Sequence, residues 1–418
     1  MASIILFFLL LLLYLILGLD FYKSKSIKHF MLWTVVLPLT SALTIIHTRF
    51  QINVYYAFVI IPLLFYVFNT LVNFKTDKTI FLASGLILAF VTFYLCYTFL
   101  LNPDNLLIIN IAKDVKPLLF LALGFVFLDM LKNTQVDWNS LLARNILKYH
   151  CLASVIWFVI FNNTNLAGTV SNDAYFDINE TRYAAIGTSY VLLYFIAGLS
   201  SSKKFNGWDI AYISIPLFLA GNRTMFFIFG ILYVANLFLS TENIFGLFKK
   251  ILLSIVAIFG LVLGVFNLNE KLKERIISMF DYNLVMEQLF SKRFSPFIEE
   301  IDTFEWYHYI FGKGIGETLF IPWFVYRENI DNFNISMDNI YMTMYVKYGL
   351  FSLIIYFLLL FFIFKTKTNQ KFKILLTLYF LISGLTTAFL YQTKFLFILL
   401  VLTGFGFVKG ECNKVEKF

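Results

Sequence analysis

The sequence predicts an all-α fold: a polytopic bundle of transmembrane helices that carries one large helical loop on the outer face of the membrane. Three observations predict it. Hydrophobic residues make up 60% of the 418 positions and charged ones only 14%, with a mean hydropathy of +0.79, more apolar surface than a water-soluble core of this size requires. The apolar residues fall into runs that approach the roughly 20 helical residues needed to cross a bilayer. Lysine and arginine gather in every second connector between those runs, which is the distribution of cytoplasmic loops.

In chain order the apolar runs lie near 2–19, 30–46, 54–72, 79–101, 116–131, 149–161, 184–200, 208–220, 223–240, 250–268, 340–364, 372–390 and 394–408. That is about thirteen spans in one integral membrane domain covering 1–418. The first run, Ser3 to Leu19, follows no basic residue and precedes no small-residue cleavage site, so it reads as a retained helix and not as a signal peptide. Basic connectors include Lys23/Lys25/Lys28, Lys75/Lys78, Lys132/Arg144/Lys148, Lys203/Lys204, Lys249/Lys250 and Lys365/Lys367/Lys371/Lys373. They place the N-terminus outside and the C-terminus in the cytoplasm of a cell-membrane protein.

The same clustering accounts for the +8 formal charge without a nucleic-acid partner. The 52 phenylalanines carry no function of their own, because Phe, Ile and Leu serve a lipid-facing surface equally well. Cys96, Cys151 and Cys412 suggest neither a disulfide framework nor a metal site. His47, His150 and His308 are isolated. No metal and no cofactor is expected.

One connector breaks the pattern. Residues 269–339 form a long, mixed, amphipathic segment in a chain whose other connections are shorter, and such a segment is more often functional than idle. Helical stretches are expected at Glu270–Phe280, Asn283–Phe290 and Ser295–Tyr309, with Trp306 and Trp323 at headgroup level, so that the segment caps the bundle.

Three polar positions stand out against this background. Gly221-Asn222-Arg223-Thr224 interrupts the apolar stretch from Ile210 to Leu239. Arg223 there either snorkels to headgroups or offers its forked donors to a phosphate. Arg293 opens a stretch that carries Glu299, Glu300, Asp302 and Glu305, where a helical salt-bridge network competes with an anion site.

At the end of the segment, Phe311-Gly312-Lys313-Gly314-Ile315-Gly316 precedes Asp338-Asn339-Ile340-Tyr341. The glycine string follows no convincing strand and lacks a nucleotide-fold context, so it is not a nucleotide loop. Glycines so spaced permit a tight backbone turn against another group or a ligand. Asp338 and Asn339 stand where a helix cap is the plain alternative to a catalytic role.

Taken in order across residues 180–365, these elements resemble the O-antigen polymerase and ligase superfamily. The resemblance rests on the arginine turn Asn222-Arg223, a second arginine early in a large outer loop (Arg293), and the aromatic helix ending in the glycine string Gly312, Gly314 and Gly316. It continues in a polar pair that opens a span running on through Tyr341 to Gly349-Leu350, while Glu180-Thr181-Arg182 is similar to the family's earlier outer arginine. The ligase branch has a histidine where this chain has Asp338, so the sequence is more similar to a polymerase.

The resemblance implies transfer of a glycan from a polyprenyl pyrophosphate to the sugar of a second lipid-linked repeat unit at the outer leaflet. Arg223 and Arg293, with Arg182 as a third, would hold the pyrophosphate. Asp338, with Glu299 or Glu305 behind it, would take the acceptor proton. Its partners would be lipid-linked donor and acceptor glycans, membrane lipids and a chain-length regulator protein. A lipid-linked oligosaccharide flippase has a similar helix count, but such transporters bury charge in their spans, whereas these runs read as nearly free of it.

Overall fold

The computed structural model describes residues 12, 15, 16, 19, 78–101, 107–133, 147–152, 154–156, 188–199, 207–219, 223–240, 245–246, 248–249, 251–252, 256, 260, 281–287, 293–321, 333–365 and 370–391. The runs expected at 30–46, 54–72 and 394–408, and the stretch Glu270–Phe280, lie outside them. The described residues are mostly helical.

Helices α1 (Lys78–Leu101) and α2 (Ile108–Asn133) form an antiparallel hairpin, pinned midway where the Ser84 hydroxyl donates to the carbonyl of Ala122 at 3.0 Å. Next come α3 (Thr188–Leu199), α4 (Gly207–Leu219) and α5 (Arg223–Ser240). The loop segment contributes α6 (Tyr282–Met286), α7 (Arg293–Asp302) and α8 (His308–Phe311). It also contributes β1 (Leu319–Phe320) and β2 (Phe333–Asn334), which pair antiparallel with Leu319 opposite Asn334. This small ribbon is the one departure from an all-α chain among the described residues.

Helix α9 (Ile340–Tyr348) follows, then a 3-10 turn (Gly349–Phe351), α10 (Ser352–Lys365), α11 (Gln370–Gly384) and a last 3-10 turn (Phe389–Tyr391). Helices α3, α4 and α5 pack on one another, and α11 packs against α3, α5 and α10. Two stretches, Phe81–Leu101 and Ile340–Phe361, are long and apolar enough to cross a membrane.

Two expectations change here. The run 340–364 is not one straight helix. Asn339 caps its start, accepting the Met342 N–H at 3.1 Å, and Gly349 ends α9 at φ +53, where a Cβ would run into the carbonyl of Ile310 on α8. The expected helix 295–309 is also divided. Thr303 turns its hydroxyl back to the carbonyl of Glu300 at 2.7 Å, a local bond that competes with helix continuation. Phe304 then packs beside the buried cluster of Leu319, Met337 and Val346.

Candidate functional site

The glycine loop is where the parts of the chain meet. Lys313 and Gly314 donate their N–H groups to the carbonyls of Val346 and Lys347 at 2.8 and 2.9 Å. The loop thereby satisfies carbonyls that the end of α9 would otherwise leave unpaired. From the other side Tyr97 of α1 donates its hydroxyl to the carbonyl of Gly312 at 2.9 Å. The Ile315 N–H donates to the Thr98 hydroxyl at 2.9 Å. The Gly316 N–H donates to the Asp114 carboxylate on α2 at 2.7 Å.

Gly312 and Gly314 have φ +70 and +98. A Cβ on the first would collide with the backbone of Lys347, and one on the second with the Thr98 hydroxyl. Their spacing serves close approach of backbone to helix.

Beneath the loop lies an ion pair absent from the sequence reading. Lys347 of α9 and Asp114 of α2 are both fully buried and bonded to each other, and the Lys347 ammonium stands 5.8 Å from the centre of the Tyr391 ring. The expectation that the apolar runs are nearly free of charge is therefore corrected. A lysine sits inside one of them, held by a carboxylate that also receives a backbone N–H. A second, less deeply buried pair, Lys313 with Glu300, joins the loop to α7.

Glu317 follows the last glycine and lies within electrostatic reach of both pairs. Burial lifts its carboxyl above the usual carboxylate range. Lys313 pulls it back, Glu300 raises it, and Lys347 and Asp114 add opposing contributions.

The sequence-derived residues fall around this nexus unevenly. Arg293 is the first residue of α7, the helix whose Phe297 ring lies 6.2 Å from that of Tyr345 on α9. Its Nη1 is enclosed and has no hydrogen-bond partner among the described residues. Asn339 is the cap of α9. Tyr341 ties α9 to α11, its hydroxyl donating to the carbonyls of Phe380 and Leu381 at 3.3 and 3.1 Å, with its ring against Gly384.

Asp338, Glu299 and Glu305 are exposed. The Glu305 N–H donates to Nδ1 of His308 at 3.0 Å. Arg223 begins α5, its side chain outside the described set, and Arg182 and Asn222 lie outside it altogether.

Sequence reasoning missed Asp114, Lys347, Thr98 and Glu317. Lys347 had a signal, since an ionisable residue within an apolar run marks a site by default. Glu317 adjoins the glycine string. Asp114 and Thr98 had none, because only the folded hairpin carries them to the loop. Among the described residues no group of three His, Cys, Asp or Glu side chains is placed to hold a metal ion.

Fold and site together define a mostly helical protein with two apolar helical stretches long enough to cross a membrane and a buried charged junction under a glycine loop. The chain belongs to DUF6369, a family of unknown function, whose family model matches residues 135–417. That match takes in the loop, α9 and the three arginines, while α1 and α2 precede it. No curated protein and no solved structure matches the chain.

Proposed function

We propose that this protein is a polytopic membrane enzyme of the O-antigen polymerase class, moving a glycan from polyprenyl pyrophosphate onto a second lipid-linked repeat unit at the outer leaflet. The observation that carries the reading is Arg293. An enclosed guanidinium nitrogen with no acceptor among the described residues is costly to leave so, and a pyrophosphate oxygen would satisfy it with a charge-assisted bond. Arg223 and Arg182 complete the proposed clamp. As the sugar–pyrophosphate bond breaks, negative charge grows on the leaving oxygen, and fixed cations stabilise it more than they stabilise the ground state.

The docking side of the loop supports the same picture. It rests on Tyr97 and Thr98 near the end of α1 and on Asp114 near the start of α2. Those are the ends that the lysine distribution assigns to the outside, where lipid-linked repeat units are presented to such enzymes.

A second reading, a transporter of lipid-linked glycans, is favoured by the fully buried Asp114–Lys347 pair, since charges in apolar spans often line transport pathways. One experiment separates the two. The full-length chain is reconstituted in vesicles with synthetic lipid-linked repeat units, and products are resolved by size. Polymerase activity gives a ladder that Arg293→Lys and Arg223→Lys each largely abolish while the protein stays in the membrane, because lysine keeps the charge and loses the fork. Transfer of the lipid across the bilayer with no ladder supports the transporter, and near-normal ladders from both variants discard the clamp.

A further inference from the structure

The carboxylates that the sequence offers as proton acceptors are poorly placed for the task. Glu299, Glu305 and Asp338 are all exposed, and an exposed carboxylate has little around it to raise its basicity or to shield its reaction from water. Two enclosed carboxylates near the loop are already committed, Glu300 to Lys313 and Asp114 to Lys347. Glu317 belongs to neither pair.

Its position is fixed by its neighbours. The preceding residue, Gly316, has φ +88 and is bonded through its N–H to Asp114. Two residues further on, Leu319 is fully buried and paired to Asn334 in the small ribbon. Glu317 itself is only partly enclosed, so one side remains open to a ligand. The charged groups that act on it are Lys313 and Glu300 from the less deeply buried pair and Lys347 and Asp114 from the fully buried pair.

Resting on the glycan-transfer reading, we propose that Glu317 is the general base of the reaction, seated on the glycine loop between the two ion pairs. The acceptor hydroxyl gives its proton to the Glu317 carboxylate as its oxygen forms a bond to the anomeric carbon of the donor sugar. The bond from that carbon to the pyrophosphate oxygen breaks, and polyprenyl pyrophosphate departs with the electron pair. Protonated Glu317 then returns its proton to water. Burial, which raises the carboxyl above the ordinary range, moves it toward the acidity at which a base works best near neutral pH.

The test uses full-length protein in vesicles with synthetic lipid-linked repeat units, measuring the initial rate of polyprenyl pyrophosphate release against pH. Glu317→Gln is expected to lower the rate by about 10²–10⁴-fold while the protein elutes as the wild type does from a sizing column. Glu317→Asp is expected to keep a measurable rate with its acid limb displaced. Activity falls below the Glu317 pKa because the protonated carboxyl cannot accept a second proton. A wild-type chain that releases no pyrophosphate lipid defeats the transfer reading itself. An active wild type with Glu317→Gln within about threefold of it overturns the base assignment alone. Should Glu317→Gln fail to fold, the aspartate variant decides: an unchanged acid limb overturns the proposal and a displaced one upholds it.

Discussion

Replacing Lys347 by methionine tests whether the buried junction holds the loop in place. The substitution keeps the length of the side chain and removes its charge, leaving Asp114 with 0% side-chain exposure and only neutral donors, the Gly316 N–H at 2.7 Å and the Tyr391 hydroxyl. Breaking a buried pair by deleting one partner costs about 3–5 kcal/mol, because the surviving charge is neither hydrated nor matched.

Asp114→Asn alone strands the Lys347 ammonium in the same way. In the double variant both charges are gone, and the asparagine carbonyl can still accept the Gly316 N–H. The remaining penalty is then that of an imperfectly satisfied amide, about 1–3 kcal/mol. The two substitutions should therefore be strongly non-additive, with the double variant more stable than the sum of the singles by several kcal/mol. The assay is denaturant unfolding of the full-length chain in detergent micelles, which is informative because the pair is buried by protein. A Lys347→Met loss below about 1 kcal/mol, or additive effects, would refute the view that this pair organises the loop.

Three further outcomes are expected. Gly312→Ala combines positive-φ backbone strain of about 1–3 kcal/mol with a Cβ driven into the Lys347 backbone, so it should detach the loop and raise protease cleavage between 303 and 318. Asn339→Ala removes the acceptor of the Met342 N–H and should cost about 1 kcal/mol, with transfer activity retained in the fraction that stays folded. His308 accepts the Glu305 N–H through Nδ1, and burial followed by Lys313 holds its imidazole below the ordinary range, with Glu305 opposing. Its folded pKa is depressed, so the stability tied to the neutral ring is present above the ordinary histidine range and is lost as pH falls through it. Amide exchange at 305–311 should accelerate on acidification in the wild type and lose that dependence in His308→Gln.

Helix positions were legible to within a residue or two for α1, α4 and α5, because each is a predominantly apolar run bounded by polar segments. The start of α2 was misjudged. Hydropathy ends at Lys116, while the helix reaches back to Ile108, since Lys113, Asp114 and Lys116 break an apolar count without breaking backbone hydrogen bonding. The division of 295–309 was hidden for the opposite reason. A local hydroxyl bond at Thr303 and the inward packing of Phe304 depend on a core that only the folded loop creates.

Arg293 was legible as a charged residue early in the long polar segment, but the lack of an acceptor for its Nη1 among the described residues was not. Glu317 carried no mark beyond its place after three glycines.

By itself the sequence determined a predominantly apolar, helical chain with one long polar excursion, because hydropathy and charge act through the nearest neighbours along the backbone. What the glycines are for was decided only by tertiary structure. Asp114 and Lys347 stand far apart in the chain, and their attraction has effect only once α1, α2 and α9 exclude water around them. In that low-dielectric junction the loop has one seat, and the carboxylate that follows it takes its surroundings from four charges drawn from three parts of the chain.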